Sequence, residues 1–292
     1  MRGPWATFGR RAGVGGWASR IRGTGLLLDI LFGEQPTCAL CSSPAARRDR
    51  LCEPCQAGLP LAVGARCGKC SAPIRLRGEV EGGAAGDAPT APLCRGCQET
   101  QHYFAAASAV AVYEGAARTM VADLKYRARL ELALPMARLM AAECARVGFA
   151  HRCDVAVPVP MHRAKLALRG YNQAEVLCTE VARALWMPQL PDVLTRSELQ
   201  ESQTLHDRAG RRANALRAYS CVRPKAVAGR SVLVVDDVLT SGATADGCAR
   251  ALLRAGAREV CVITFAVSVA DARDWIDRSR LRSNGVESII KQ

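Results

Sequence analysis

"VVDDVLTSGAT", residues 234–244, joins a hydrophobic run to two acids and then to a turn of small, hydroxyl-bearing residues. The run 231–235 predicts a buried strand, and residues 244–257 carry apolar side chains at helical spacing. "EVCVITFAVS" (259–268) predicts a second strand, so the stretch belongs to a strand–helix–strand unit. Strands joined by a helix of this length pair in parallel within one sheet, and this unit therefore decides the fold class.

The same alternation of strand and helix extends upstream. Apolar runs predict strands at 107–113 and 153–160, and helical spacing predicts helices at 115–128, 131–147 and 171–186. We therefore predict an α/β domain with a parallel sheet and helices on both of its faces. Ligands of such sheets bind at the carboxyl ends of the strands, which is where the acidic pair lies.

The acids and the turn suggest a ligand that needs both hydrogen-bond acceptors and an anion site, such as a sugar phosphate. Backbone N–H groups around Gly242, with hydroxyls on either side, surround phosphate well at a helix N-terminus. Consecutive strand residues point to opposite faces, so Asp236 and Asp237 reach one ligand only if the strand ends at Val235. The alternative is an ordinary capped helix after an acidic turn. Neither a P-loop motif nor a dinucleotide-binding glycine motif is present in the sequence.

Eight of the fourteen cysteines form four C-x-x-C pairs within sixty residues, which predicts two closed structural zinc sites. The eight are Cys38, Cys41, Cys52, Cys55, Cys67, Cys70, Cys94 and Cys97. We predict that the pairs combine in sequential order, and the spacing leaves open a cross-braced arrangement of the first pair with the third. Redox pairs are the competing interpretation. A module this short has too small a core to fold alone, so bound ions would supply its folding energy.

Net charge and hydropathy limit which partners and which cellular location are expected for the protein. The net charge of +13 indicates either a polyanionic partner or a solvated basic surface. No apolar run approaches the roughly 20 residues that span a bilayer, and we predict a cytoplasmic protein without a membrane span. Of the four histidines, His162 and His206 lie in the two basic loops and could contact phosphate, and a surface position is the default expectation. The predicted divisions are a disordered basic leader ending in a short helix at 1–33, a double zinc ribbon at 34–100, the α/β domain at 105–270 and a C-terminal helix or tail at 271–292.

Three segments carry a resemblance to a known family. "VLVVDDVLTSGAT" (232–244) resembles the phosphoribosyl-pyrophosphate (PRPP) binding motif of type I phosphoribosyltransferases. "PVPMHRAKLALRGYNQAEVL" (158–177) is similar to the P-V-P…R-G-[FY]-N-Q-A signature of the ComF family of competence-associated proteins, and 194–219 resembles that family's T-R…Q-x-x-L…R-x-N segment. "LKY" at 124–126 and the leading cysteine ribbons also fit. The resemblance implies a type I phosphoribosyltransferase-like fold preceded by a double zinc ribbon.

The resemblance also implies a role for each site residue. Asp236 and Asp237 would bind the ribose 2′- and 3′-hydroxyls, and the loop after them would hold the 5′-phosphate through Thr240, Ser241, Gly242, Ala243 and Thr244. The pyrophosphate, accompanied by magnesium, would lie at a second loop made of Pro160, Met161, His162 and Arg163, with Arg169 adding charge. A mobile hood at 196–214 would close over the ligand, with Gln203 and Arg212 at the family's motif positions.

The function implied by the resemblance is PRPP binding in DNA uptake during natural transformation, with single-stranded DNA or a helicase-type partner. Base-salvage phosphoribosyltransferases usually place an acid where this chain has Thr240, so the proton-transfer group for an incoming base is missing. Two alternatives stay open: a metabolic phosphoribosyltransferase, and a non-catalytic PRPP sensor. The sequence assigns no acceptor, no catalytic residue and no oligomeric state.

Overall fold

A computed structural model describes residues 37–44, 51–74, 92–197 and 216–268. The predictions for the leader, for the hood residues Gln203 and Arg212 and for the tail at 271–292 lie outside the described residues. The described strands are β1 (Ala106–Val112), β2 (Val155–Pro158), β3 (Leu194–Arg196), β4 (Tyr219–Cys221), β5 (Ser231–Leu239) and β6 (Glu259–Val267). The described helices are α1 (Glu53–Ala57), α2 (Arg95–Glu99), α3 (Gly115–Tyr126), α4 (Ala133–Arg146), α5 (Phe149–Arg152), α6 (Arg163–Arg169), α7 (Gln173–Ala184) and α8 (Ala243–Arg254), with 3-10 turns at Leu130–Leu132 and Pro224–Ala226.

The central sheet contains four parallel strands in the order β1-β6-β5-β2. One face of the sheet, to which Leu233 and Val235 of β5 belong, packs against α3, α4 and α7. The opposite face, represented by Val232 and Val234, packs against α8. Alternation along the strand sends successive apolar side chains into two separate cores, which explains why β5 is hydrophobic without interruption from 232 to 235. The predicted α/β class with helices on both faces is confirmed.

The predicted element boundaries agree with the structure to within three residues, except at the end of β5. Pro135 is accommodated in the first turn of α4, as predicted for a proline near a helix start. Asn172 caps α7 by accepting a hydrogen bond from the Ala174 N–H at 3.1 Å, which fixes the start of that helix. The sequence reasoning did not predict α6 or the antiparallel pair β3–β4, whose buried side chains Leu194 and Tyr219 pack on the α8 side of the sheet.

The cysteine-rich segment packs against the α/β domain and covers the open edge of β1. The Ala62 N–H donates to the Val110 carbonyl at 2.9 Å, and the Val112 N–H donates to the Pro60 carbonyl at 2.8 Å. These bonds satisfy edge groups that would otherwise be open to another chain. Arg66 ties the same segment to α4 through an ion pair with Glu143 at 2.9 Å. Among the described residues, no helix has the length and hydropathy needed to cross a membrane.

Candidate functional site

The acidic pair lies within β5, and its two carboxylates point to opposite faces of the sheet. The expectation that the strand ends before Asp236 is wrong, because β5 continues to Leu239 alongside β6. Strand alternation then places Asp236 on the α8 face with Val234, and Asp237 on the α3 face with Val235. The geometric requirement for both carboxylates to reach one ligand is therefore not met in this structure.

Asp236 lines a small cavity together with the loop that follows β5. The cavity is also bordered by Val159, Thr240, Gly242 and Thr244. Burial, and then the charge of Asp237, raise the pKa of Asp236 to about 8. The carboxyl group of Asp236 is thus protonated over much of the neutral range, which reduces its repulsion of an anion bound in the same loop.

Asp237 is 3% exposed and forms a short ion pair with Lys125 of α3, with Nζ 2.7 Å from Oδ1. Its other oxygen, Oδ2, is buried and makes no hydrogen bond with any group of the described chain. A buried carboxylate with one unsatisfied oxygen is costly unless another ligand or water completes it. Lys125 belongs to the "LKY" triplet, so the structure gives that triplet a physical role.

The loop between β5 and α8 has the geometry of an anion-binding turn. Gly242 adopts the left-handed conformation at φ +77° and ψ −2° and directly precedes α8. Thr240 and Ser241 are exposed, whereas Gly242 is buried. The N–H groups of a helix's first turn have no partner within the helix, so the N–H groups that follow Gly242 are available to a ligand. The helix dipole favours a negatively charged ligand at this end of α8. The structure thus brings together Asp236 and the predicted phosphate loop, Thr240 to Thr244.

The second predicted loop, at 160–163, lies beside the first because β2 and β5 are neighbours. Pro158 pairs with Val235, and the Val159 N–H donates to the Val235 carbonyl at 3.0 Å. The loop leads into α6, which starts at Arg163 and is capped by the His162 side chain accepting from the Ala164 N–H at 3.2 Å. Both predicted anion loops therefore occupy the same carboxyl edge of the sheet.

The R-G-Y-N-Q stretch holds this second loop in place. Asn172 donates from its side-chain amide to the Val159 carbonyl at 2.9 Å, and Tyr171 donates its hydroxyl to the Leu124 carbonyl. Arg169 was predicted to add charge at the pyrophosphate loop. Its guanidinium lies 5.2 Å from the centre of the Tyr126 ring and hydrogen-bonds Gln173. These contacts link α3, α6 and α7 near the site.

Sequence reasoning missed a buried pair that supports the phosphate loop from behind. His102 Nδ1 lies 2.9 Å from Asp246 Oδ2, and the side chains of the two residues are 5% and 0% exposed. A methyl group built on Gly242 would come within 3.0 Å of His102 Cε1. His102 belongs to the segment between the last cysteine pair and β1, so no motif around the loop predicts it. The only local signal is Asp246, an acid facing the core within the amphipathic α8.

The eight cysteines of the four pairs form two clusters, and the predicted sequential pairing is confirmed. The first cluster contains Cys38, Cys41, Cys52 and Cys55; the second cluster contains Cys67, Cys70, Cys94 and Cys97, and within each the sulfur atoms lie within 4.8 Å of one another. The Sγ atoms of Cys41 and Cys52 are 3.6 Å apart, and those of Cys70 and Cys94 are 3.7 Å apart. A tetrahedral ion with metal–sulfur bonds of about 2.3 Å separates its sulfurs by about 3.8 Å, so both donor sets fit such a metal.

The two clusters are local repeats of one design. In the first, the Ser42 N–H bonds the Cys38 carbonyl at 2.8 Å, and in the second the Ser71 N–H bonds the Cys67 carbonyl at 2.9 Å. Ser42 and Ser71 share a left-handed conformation at φ 62° and 60°. The thiols also perturb one another: hydrogen bonds from Cys70 and then Cys97 hold the pKa of the Cys67 thiol well below its usual range. In turn, hydrogen bonds with Cys67 raise the pKa of the Cys70 and Cys97 thiols.

Comparison with known proteins agrees with this organisation. The family described as "Phosphoribosyl transferase domain" matches residues 172–291. The chain is 30% identical over 222 residues to the "DNA utilization protein YhgH" of Salmonella typhi, covering 73% of this chain and 94% of that protein. It is 32% identical over 110 residues to "Competence protein F" of Haemophilus influenzae, covering 37% of this chain and 48% of that protein. A solved glutamine PRPP amidotransferase from B. subtilis, complexed with ADP and GMP, is similar at a TM-score of 0.31 and 23% identity, over 44% of this chain and 25% of that one.

The match to the Salmonella protein covers nearly the whole of that relative at 30% identity. The phosphoribosyl transferase match and the two cysteine clusters describe the two halves of one architecture. The chain belongs to the ComF family of phosphoribosyltransferase-like proteins.

Proposed function

We propose that this chain binds PRPP at the carboxyl edge of its sheet, with the 5′-phosphate in the loop 240–244. The observation that carries the proposal is the left-handed Gly242 at the start of α8, which lines one cavity together with Asp236 and Thr244. The neighbouring loop at 160–163 supports a second anion site for the pyrophosphate. Magnesium would accompany that pyrophosphate, since it binds mainly through phosphate oxygens and water.

The two acids have unequal roles in this proposal. Asp236 faces the loop and would accept a hydrogen bond from a ribose hydroxyl. Asp237 would contact the second hydroxyl only after the end of β5 separates from β6 and Lys125 releases it, because strand alternation and the 2.7 Å ion pair hold it on the other face of the sheet. Its unsatisfied Oδ2 supports such a rearrangement, since a ribose hydroxyl would supply the missing donor.

The proposed role is PRPP binding, with no acceptor assigned. Thr240 is exposed at the position where base-salvage phosphoribosyltransferases usually place an acid, so this chain offers no evident group to move a proton to or from an incoming base. Zinc is the proposed ion of both cysteine clusters, because four thiolates in tetrahedral arrangement are its preferred structural site. Neither cluster leaves a ligand position for water, so a catalytic role for these ions is not proposed.

Isothermal titration calorimetry of the full chain with PRPP and magnesium tests the ligand. We expect saturable one-to-one binding, with weaker binding of ribose 5-phosphate and of pyrophosphate alone. Asp236→Asn should lower the affinity about twofold to tenfold, since a hydrogen bond to a neutral group contributes about 0.5–1.5 kcal/mol. Asp192→Ala, at an exposed residue paired with Arg223, is the control and should bind like the wild type. No heat with PRPP, or equal affinity of Asp236→Asn and wild type, contradicts the proposal.

A role in DNA handling is the second part of the proposal, and the names of the two relatives suggest it. The structure offers a surface with suitable chemistry, which we call the basic helix surface. It consists of Arg163, Lys165, Leu168 and Arg169 on α6 together with Tyr126 on α3. No residue of α6 is buried, Leu168 is 90% exposed and Tyr126 is 76% exposed. Exposed cations beside an aromatic ring match a single strand, whose phosphates need charge and whose bases need a stacking partner.

Binding of a labelled single-stranded oligonucleotide at several salt concentrations tests this surface. Each phosphate contact contributes about 0.7 to the slope of log affinity against log salt, so Lys165→Ala, which lies outside the proposed pyrophosphate loop, should reduce the slope by about 0.7. Arg254→Ala, an exposed arginine on α8 across the sheet, is the matched control. Equal slopes for all three proteins would remove the basic helix surface from the proposal and leave the PRPP site unaffected.

A further inference from the structure

We propose that His102 positions the phosphate loop and thereby couples metal binding at the second cluster to phosphate-ligand binding at residues 240–244. The inference rests on the proposed function for the identity of the ligand, and on the geometry of the described chain for the coupling. It makes the cysteine-rich segment part of the binding site's support.

The first link is the contact between His102 and Gly242. A Cβ atom on Gly242 would lie 3.0 Å from His102 Cε1, 3.4 Å from His102 Nδ1 and 3.7 Å from Phe104 Cε1. The imidazole is stacked on Phe104 with ring centres 4.7 Å apart. The glycine at the centre of the loop therefore has a rigid aromatic wall behind it, and its left-handed turn has no space to move in that direction.

The second link is Asp246, which binds both the loop and the linker, the segment 100–105 between α2 and β1. Its backbone N–H donates to the Gly242 carbonyl at 2.8 Å. Its carboxylate accepts from the Tyr103 N–H at 2.8 Å and lies 2.9 Å from His102 Nδ1. Because this side chain is completely buried, each of these bonds forms in a low-dielectric environment where a lost partner is costly.

The third link joins the linker to the second cluster. Cys97 lies in α2, which ends at Glu99, and His102 follows it by five positions, so the Cα atoms of Cys97 and His102 are at most about 17 Å apart. Lys69, between Cys67 and Cys70, accepts from the Ala107 N–H at 2.8 Å and donates from Nζ to the Ala105 carbonyl at 3.1 Å. Its ammonium group also lies 5.6 Å from the centre of the Phe104 ring.

Both halves of the second cluster therefore hold the segment that carries His102. A metal ion fixes the two C-x-x-C turns relative to each other, and the first turn holds residues 105–107 while the second leads directly into the linker. Loss of the ion frees both anchors, and the wall behind Gly242 is then no longer fixed. The first cluster lacks this connection: its buried cysteines pack in the core on the opposite face of the sheet.

Hydrogen exchange of the full chain tests the coupling without any ligand. Cys97→Ser disrupts the second cluster, and Cys41→Ser is the matched control that disrupts the first; each should lower the zinc content by one ion. We expect faster exchange of the amides at 240–246 in Cys97→Ser and unchanged exchange there in Cys41→Ser. Equal exchange at 240–246 in wild type and Cys97→Ser overturns the coupling, whether or not the protein binds PRPP.

Titration of PRPP with magnesium then measures the size of the coupling. Cys97→Ser should bind about tenfold more weakly than Cys41→Ser, which corresponds to about 1.4 kcal/mol. Because coupling between two binding sites is reciprocal, saturating PRPP must raise the zinc affinity of the second cluster by the same factor, as measured by competition with a chelator. Identical zinc affinities with and without bound PRPP would contradict the inference.

His102→Asn separates positioning from general folding. The asparagine amide can still donate to Asp246, so the buried carboxylate keeps a partner, but the ring behind Gly242 is removed. We expect normal zinc content, weaker PRPP binding and a coupling factor near one, whereas His151→Asn on α5 should behave as the wild type. A coupling factor unchanged by His102→Asn rules out His102 as the link. Failure of the wild type to bind PRPP refutes the proposed function, and the exchange experiment still decides the coupling.

Discussion

Replacing Gly242 with alanine tests the packing behind the phosphate loop, and the chain supplies a close control. Gly242 and Gly148 share a left-handed conformation, at φ +77° and +81°, and each precedes a helix. A Cβ atom on Gly148 meets nothing within 4 Å, whereas one on Gly242 comes within 3.0 Å of His102. The two substitutions therefore impose the same backbone strain, and only one of them adds a steric clash.

The magnitudes follow from these two geometries. The left-handed conformation costs alanine about 1–2 kcal/mol, and the lower entropy of the unfolded chain returns about 0.4–1 kcal/mol. Gly148→Ala should therefore destabilise the protein by roughly 1 kcal/mol or less. Gly242→Ala adds the displacement of a packed ring, for which overpacking costs about 1–3 kcal/mol. The difference between the two variants, not either value alone, measures the contact with His102.

Urea unfolding of both variants measures this difference, and calorimetry with PRPP and magnesium shows its effect on the loop. We expect Gly242→Ala to be less stable than Gly148→Ala by about 1–3 kcal/mol and to bind PRPP more weakly. Combining His102→Ala with Gly242→Ala should remove most of the difference, since the ring that the methyl group meets is gone. Equal unfolding free energies for the two single variants would refute the packing argument.

Three further predictions concern charges at the site and at the module contact. Asp236→Asn should stabilise the protein by about 1–3 kcal/mol at pH 9 and by much less at pH 5, measured as melting temperature. The pKa of Asp236 is about 8 in the folded protein, against an ordinary value of 3.8, so the wild type loses stability as the pH rises from about 4 through 8. A stabilisation by Asp236→Asn that does not depend on pH would contradict this prediction. Lys125→Met should cost about 3–5 kcal/mol in urea unfolding by leaving Asp237 buried and unpaired, and the added change Asp237→Leu should recover most of that loss; no recovery would contradict the pairing. Arg66→Ala should lower the unfolding free energy by about 0.5–1.5 kcal/mol, because Glu143 loses one charged partner at 2.9 Å and keeps Arg146 and Ser108; an unchanged unfolding free energy would contradict this.

The fold class and the cysteine pairing could be predicted from the sequence because both depend on local patterns. The run at 232–235 is hydrophobic without alternation, as expected for a strand buried on both faces, and the helices show apolar stripes at helical spacing. Two-residue spacing makes each C-x-x-C turn a unit, and the structure confirms that units adjacent in sequence combine.

That the side chains of Asp236 and Asp237 point to opposite faces of the sheet could not be predicted in the same way. β5 continues past Asp236 because β6 supplies pairing partners as far as Val267, and nothing in the sequence around residue 236 contains that information. The role of His102 depends on a contact with Asp246 across 144 positions of sequence. Such a contact is set by the path of the linker over α8, which the order of strands determines.

The most direct test of the central claim is to map PRPP onto the backbone by amide chemical shifts in the full chain. With PRPP and magnesium we expect the largest shifts at the amides of residues 240–244, accompanied by those after Pro160. The amides around Gly148, which shares the left-handed turn but lies outside both loops, should stay unchanged. Saturating PRPP that leaves the amides of 240–244 unshifted would contradict the assignment of this loop as the phosphate site.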